Sequence, residues 1–155
     1  VGLVKGEYKV LVTDNIGQTA ECTVTIGEPA PPQDIALKHY FEYNADKLTV
    51  EEGKLKDFVT QVEDMLNKGR TEVTITIKSS ASKVPTSTFG SNERLAKSRA
   101  DKMKKELENY FANTNAKDKV KVVIEATIVD GPAYERDSEN KDKYREFQYI
   151  EIKTK

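Results

Sequence analysis

Residues 91–107 read SNERLAKSRADKMKKEL, and this stretch decides how the chain is organised. Taken as a helix, it places Ala96, Ala100, Met103 and Leu107 along one apolar stripe. Asn92 and Arg99 are seven residues apart, two turns of helix, so they stack nearly one above the other at the stripe's edge. A cation held beside a buried stripe, near the start of a helix, can grip an anion. Upstream, Thr74 to Lys78 alternates as a short strand does.

Working outward, Ile35 to Tyr43 is apolar and aromatic enough for a strand, and Asn44-Ala45-Asp46 punctuates it. Tyr40, Phe41 and Tyr43 are expected in sheet and core. Thr49 to Glu52 has the form of a capping box, in which a hydroxyl and a carboxylate satisfy opposite free amides. Behind it Leu55, Phe58, Val59, Val62, Met65 and Leu66 recur at helical spacing, and Gly69 is free to take the left-handed cap. Thr71 to Lys78 reads as a half-buried strand, Ser79 to Gly90 as a polar loop, and Val120 to Val129 as a strand with an apolar middle. A charged loop, Asp130 to Lys143, leads to a final strand, Phe147 to Lys153. The order β-α-β-α-β-β implies an α+β domain over residues 35–155, a sandwich of two helices on one mixed sheet.

Ahead of it, EYKVLVT and TAECTVTI alternate around Asp14-Asn15-Ile16-Gly17, the signature of a β-hairpin over residues 1–28. A two-stranded hairpin alone is marginal in water, so it is expected to pack on the main domain, to pair with another chain or to be partly disordered. The run EPAPPQ follows. Its prolines favour a stiff, extended linker over residues 29–34. The chain starts in mid-strand without a signal peptide and reads as a piece of a longer protein.

The 155 residues carry 25 basic and 26 acidic side chains, a net charge of −1. No basic excess exists to drive contact with a phosphate backbone, so nucleic acid is not an expected partner. Apolar residues are 37% and charged residues 33% of the chain, and tryptophan is absent; mean hydropathy is −0.66. That is a wet composition with one modest core, and no apolar run reaches membrane-spanning length. Cys22 stands alone, which excludes an internal disulfide or a multi-cysteine metal site, and reads as a strand residue. His39 is the only histidine. No Ser-His-Asp arrangement or zinc site can be assembled, so neither catalysis nor a cofactor or metal is expected.

The motif N-x-x-L-A-x-x-R-A, carried by Asn92, Leu95, Ala96, Arg99 and Ala100, resembles the signature of the OmpA C-terminal-like family of periplasmic peptidoglycan-binding domains. The similarity extends over roughly residues 35–153: Phe41 to Leu48 resembles that family's first strand and helix lead-in, Thr74 to Ile77 its second strand. Gly131-Pro132 and Tyr149 to Ile152 resemble its last loop and final strand. The hairpin pattern G-E-Y-x-V-x-V-T-D-x-x-G, followed by T-V-T-I, resembles the last two strands of a PKD- or SprB-type Ig-like repeat of surface and envelope proteins.

The resemblance implies a non-catalytic domain anchoring a larger envelope protein to the wall. Its place would be the periplasm, at the outer membrane or cell envelope of a Gram-negative bacterium. The ligand would be the diaminopimelate of the stem peptide, its carboxylate held by Arg99 and its ammonium by an acid on the loop after the second strand. A guanidinium fork suits a carboxylate. Here the acid is missing: that loop reads Ser79-Ser80-Ala81-Ser82, with Ser82 aligned to the acid's position and Ser80 as the alternative. The implied ligand-binding set is therefore Arg99, Asn92, Ser80, Ala81 and Ser82, with Arg99 at the floor of a cleft bordered by Asn92 and by residues 79–87. The family's paired arginines near the last strand are replaced by Gln148-Tyr149. Three readings stand: a weaker diaminopimelate site, a site for a variant wall peptide, and a scaffold that has lost its ligand. The last is the alternative function, a structural or protein-interaction module of an envelope or surface assembly. Without the motif, Arg99 would read as a surface cation paired to Glu93 or lying near Asp101.

Overall fold

The structure, a computed structural model, describes residues 4–27, 32–48, 52–137, 140 and 142–155. The chain divides into two compact units, Val1–Pro31 and Pro32–Lys155.

In the first unit, β1 (Gly6–Thr13) pairs antiparallel with β2 (Thr19–Ile26). The Asp14 carboxylate accepts from the amides of Ile16 and Gln18, and Gly17 sits at φ 86°, so this turn forms for the reason the sequence suggests. Tyr8 faces Val24, Val10 faces Cys22 and Val12 faces Ala20, giving one apolar face. Most of the Pro-rich run, residues 28–31, lies outside the described residues, as does the capping box apart from the backbone of Glu52.

The second unit is α+β. Its order is β3 (Ala36–Tyr40), α1 (Glu52–Asn67), β4 (Val73–Ser82), α2 (Asn92–Ala112), β5 (Val120–Asp130), α3 (Asp142–Arg145) and β6 (Tyr149–Thr154). The sheet runs β3-β6-β4-β5, with β4 and β5 parallel and the other pairs antiparallel. One face carries Ile75 and Ile77 of β4, Ile150 and Ile152 of β6 and Val122 of β5. Of the expected stripes, Leu55, Phe58, Val59, Val62 and Met65 of α1 and Ala100, Met103 and Leu107 of α2 are buried with it in one core, joined by Phe111, while Leu66 is only partly buried and Ala96 lies in a second small cluster. Burial of this apolar surface is what holds two short-range helical patterns on a sheet.

Several boundaries differ from the sequence reading. The Ser79–Ser82 segment is not loop: β4 continues through it, paired with β5 as far as Ser82 opposite Asp130. Ala81, Leu95 and Ala96 form a second small core there, where small side chains let the start of α2 approach the strand. A seryl run is loop-like only where water can reach it, and Ser79, Ser80 and Ser82 are buried. The strand β3 stops at Tyr40. Phe41 is core and Tyr40 is a sheet residue on the exposed face, while Tyr43 lies outside both strand and core, 44% exposed. The charged segment before β6 holds a short helix, α3, with Tyr144 buried.

Candidate functional site

Arg99 organises the site. Ser91 caps α2, its hydroxyl accepting from the Arg94 amide, and two turns later Arg99 enters the buried stripe itself rather than its edge. It is 0% exposed and is the largest fully buried side chain among the described residues. The geometry leaves a gap for it. β6 pairs with β4 only as far as Ser79 opposite Ile150, so the carbonyl of Ser80 has no strand partner on that side. Arg99 Nη1 donates to that oxygen at 2.9 Å, Nε donates to the carbonyl of Ala45 at 2.9 Å, and Nη2 donates to Gln148 Oε1 at 3.3 Å. The guanidinium also lies 4.3 Å from the Phe41 ring centroid, a cation–π contact in a desolvated place.

No carboxylate among the described residues forms an ion pair with Arg99. Burial pushes its pKa down to about 10, with a smaller opposing pull from Asp46, so it remains charged at neutral pH. A buried charge satisfied only by neutral oxygens is costly, because its solvation is replaced by dipoles and not by an opposite charge.

The segment after β3 closes over this cation. Asn44 stands at φ 51°, in the left-handed region an asparagine tolerates. Its amide nitrogen donates to Thr88 Oγ1 at 2.9 Å, and its oxygen accepts from Thr86 Oγ1. Two residues on, Asp46 Oδ2 accepts from Ser98 Oγ at 2.6 Å and pairs with Lys102 Nζ at 2.7 Å. Burial raises the Asp46 carboxyl, but the hydrogen bonds from Lys102 and Ser98 outweigh it and hold the pKa below the ordinary value.

Of the residues singled out in the sequence, the structure brings Ser80 to Arg99, through its backbone oxygen; the Ser80 hydroxyl is buried without a hydrogen-bond partner. Ala81 and Ser82 follow it in the strand and are 0% and 4% exposed. Asn92 opens α2, and no hydrogen bond joins it to Arg99 among the described residues. Arg99 does not form the floor of an open cleft as expected: it is fully enclosed and in contact with Phe41, Ala45, Ser80 and Gln148. Nor is Arg99 paired to Glu93 or Asp101. Asp101 pairs with Lys97 instead. Sequence reasoning missed Phe41, Ala45, Asp46 and Gln148 as Arg99's surroundings. Gln148 stood out only as a departure from a motif, and no spacing links the others to a helix more than 50 residues away.

No helix among the described residues is long and apolar enough to cross a membrane, and no group of side chains there has the makings of a metal site. No family model and no curated protein matches the chain. Among solved structures it is similar to the periplasmic domain of Helicobacter pylori MotB, at 18% identity, TM-score 0.48, over 93% of this chain and 86% of that one. The OmpA-like domain of FopA1 from Francisella tularensis is similar at 15% identity, TM-score 0.44, over 97% and 81% of the two chains. The cell wall anchor of the T6SS from Pseudomonas aeruginosa is similar at 14% identity, TM-score 0.42, over 77% and 80%.

Proposed function

We propose that residues 35–155 form a non-catalytic wall-anchoring domain of a periplasmic envelope protein, with the hairpin as the end of an Ig-like repeat ahead of it. The ligand is the diaminopimelate of the peptidoglycan stem peptide, and Arg99 is the receptor for its carboxylate. Ser80, Ala81 and Ser82 form the strand wall of the site and Asn92 its helical margin. The observation that carries the reading is a buried guanidinium without an ion-pair partner among the described residues, on the helix whose N-x-x-L-A-x-x-R-A motif resembles that of the OmpA C-terminal-like family. An incoming carboxylate would supply the charge that the carbonyls of Ala45 and Ser80 do not, at the cost of displacing the segment 42–46.

One observation favours a second reading, a structural or protein-interaction module. Arg99 has no exposed surface and each of its three nitrogens donates to protein, as a purely architectural clamp would have it. Co-sedimentation with purified insoluble peptidoglycan separates the two. Retention in the pellet that free diaminopimelate stem peptide competes away supports the anchor; no pelleting at any wall concentration leaves the module.

A further inference from the structure

We propose that Asp46 is the ammonium-recognising group of this site, and that Lys102 stands in for the ligand's ammonium until a zwitterion displaces it. The proposal rests on the wall-binding reading above and supplies the acid that the β4 end lacks. Two consecutive residues carry it. The Ala45 carbonyl accepts from Arg99 Nε, and the neighbouring Asp46 carboxylate accepts from Ser98 Oγ and from Lys102 Nζ. Ser98 is itself the residue preceding Arg99 on α2. The segment 45–46 therefore presents an oxygen to the buried cation and an anion to a second cation, the two halves of a zwitterion's contacts satisfied from inside the protein.

The accessibility of the two parts differs in the sense the proposal needs. Arg99 is enclosed, but the Asp46 and Lys102 side chains are 17% and 48% exposed, so the pair lies at the surface edge where a ligand can compete for it. A salt bridge with an exposed partner is weak and easily exchanged. The residues of the β4 end offer no such alternative. Ser80 and Ser82 are buried, and neither hydroxyl is an anion. A ligand bearing an ammonium and a carboxylate on one carbon would trade Lys102 for its own amine at Asp46, and Ala45 for its own carboxylate at Arg99. Segment 42–46 would move outward against the Asn44 contacts to Thr86 and Thr88. Recognition and opening are then one event: an anion alone gains Arg99 but leaves the Asp46–Lys102 pair in place.

Titration of the whole chain with a diaminopimelate stem peptide, and with the same peptide acetylated on the diaminopimelate amine, tests this. The native protein should prefer the free amine by roughly tenfold, the worth of one charge-assisted contact. Asp46→Asn, which keeps an acceptor for Ser98, should erase that preference, so that the variant binds the free-amine and the acetylated peptides alike. Lys102→Ala, a surface change that removes the internal competitor, should tighten the free-amine peptide several-fold. An Asp46→Asn protein that still prefers the free amine overturns the proposal and leaves the wall-binding reading standing. If neither the native protein nor Lys102→Ala binds either peptide, the wall-binding reading itself has failed, and this proposal with it.

Discussion

Gln148 Oε1 accepts from Arg99 Nη2 at 3.3 Å, so a neutral amide stands where the buried guanidinium lacks a carboxylate. Gln148 is itself 3% exposed. Gln148→Glu would place an anion on the cation without changing side-chain shape. Expected is a gain of about 1–3 kcal/mol in urea unfolding at neutral pH, together with loss of stem-peptide binding, because the internal carboxylate occupies Arg99. The gain should vanish on acidification, since the paired glutamate would have a depressed pKa in the folded state and its stabilisation is lost as pH falls through that value. Unchanged stability and unchanged binding would contradict the idea that Arg99 is short of an anion.

Arg99→Ala is expected to destabilise by about 2–4 kcal/mol, because it orphans the carbonyls of Ala45 and Ser80 and empties the space beside Phe41. A side chain at the edge of the helical stripe would have been removable with little cost; one wholly inside is not. Urea denaturation of the variant, followed by circular dichroism, checks the figure. A loss below about 0.5 kcal/mol, the range of surface substitutions, would deny the clamp.

Ser82→Asp tests the alignment made across the polar segment. On a loop, the aspartate would restore an ammonium partner and tighten zwitterion binding. In β4, Ser82 is 4% exposed and faces Asp130 in the register, so the substitution sets two acids opposite one another. The expected result is a lowered melting temperature at neutral pH and no gain in affinity. Tighter binding with the native melting temperature would mean that Ser82 reaches the ligand's ammonium from the strand wall.

His39 provides a pH test free of ambiguity about its source, since the chain has one histidine. It faces the core side of β3, edge-on to Phe41 with ring centroids 5.1 Å apart, and its Nε2 is buried without a partner. Burial, then the nearby Lys54 and Arg99 cations, lower its pKa below the ordinary value. The unfolded chain thus takes up a proton at higher pH than the folded one. The stabilisation is complete above about pH 6.5 and is lost as pH falls from there through the folded value. Melting curves from pH 7.5 to 5 should show that decline in the native protein, and His39→Leu should flatten it.

Gly131 stands at φ 97°, and a Cβ there would meet Phe147 Cδ2 at 2.7 Å. Gly131→Ala should cost about 1–3 kcal/mol through backbone strain and the ring's displacement. Equilibrium unfolding of the variant reads this directly. A neutral result would mean that the Phe147 ring yields without cost.

The strands and the two long helices, their stripes and the hairpin were legible along the chain, though not the short α3, because each rests on a local period: apolar side chains recurring every three to four residues or every second one. The apolar positions from Leu55 to Met65 and from Ala100 to Leu107 are buried on the faces that these periods name. What surrounds Arg99 had no such signal. Ser79 to Ser82 look like loop and become strand because β5 is long enough to pair with them, and small enough side chains let α2 close over them. Ala45, Asp46 and Gln148 meet the helix only through contacts spanning about 50 residues, set by where β6 stops pairing with β4. The sequence by itself determined which faces avoid water; only the tertiary structure decided which neutral oxygens share the buried cation, since that depends on where strands end in space and not on any repeat along the chain.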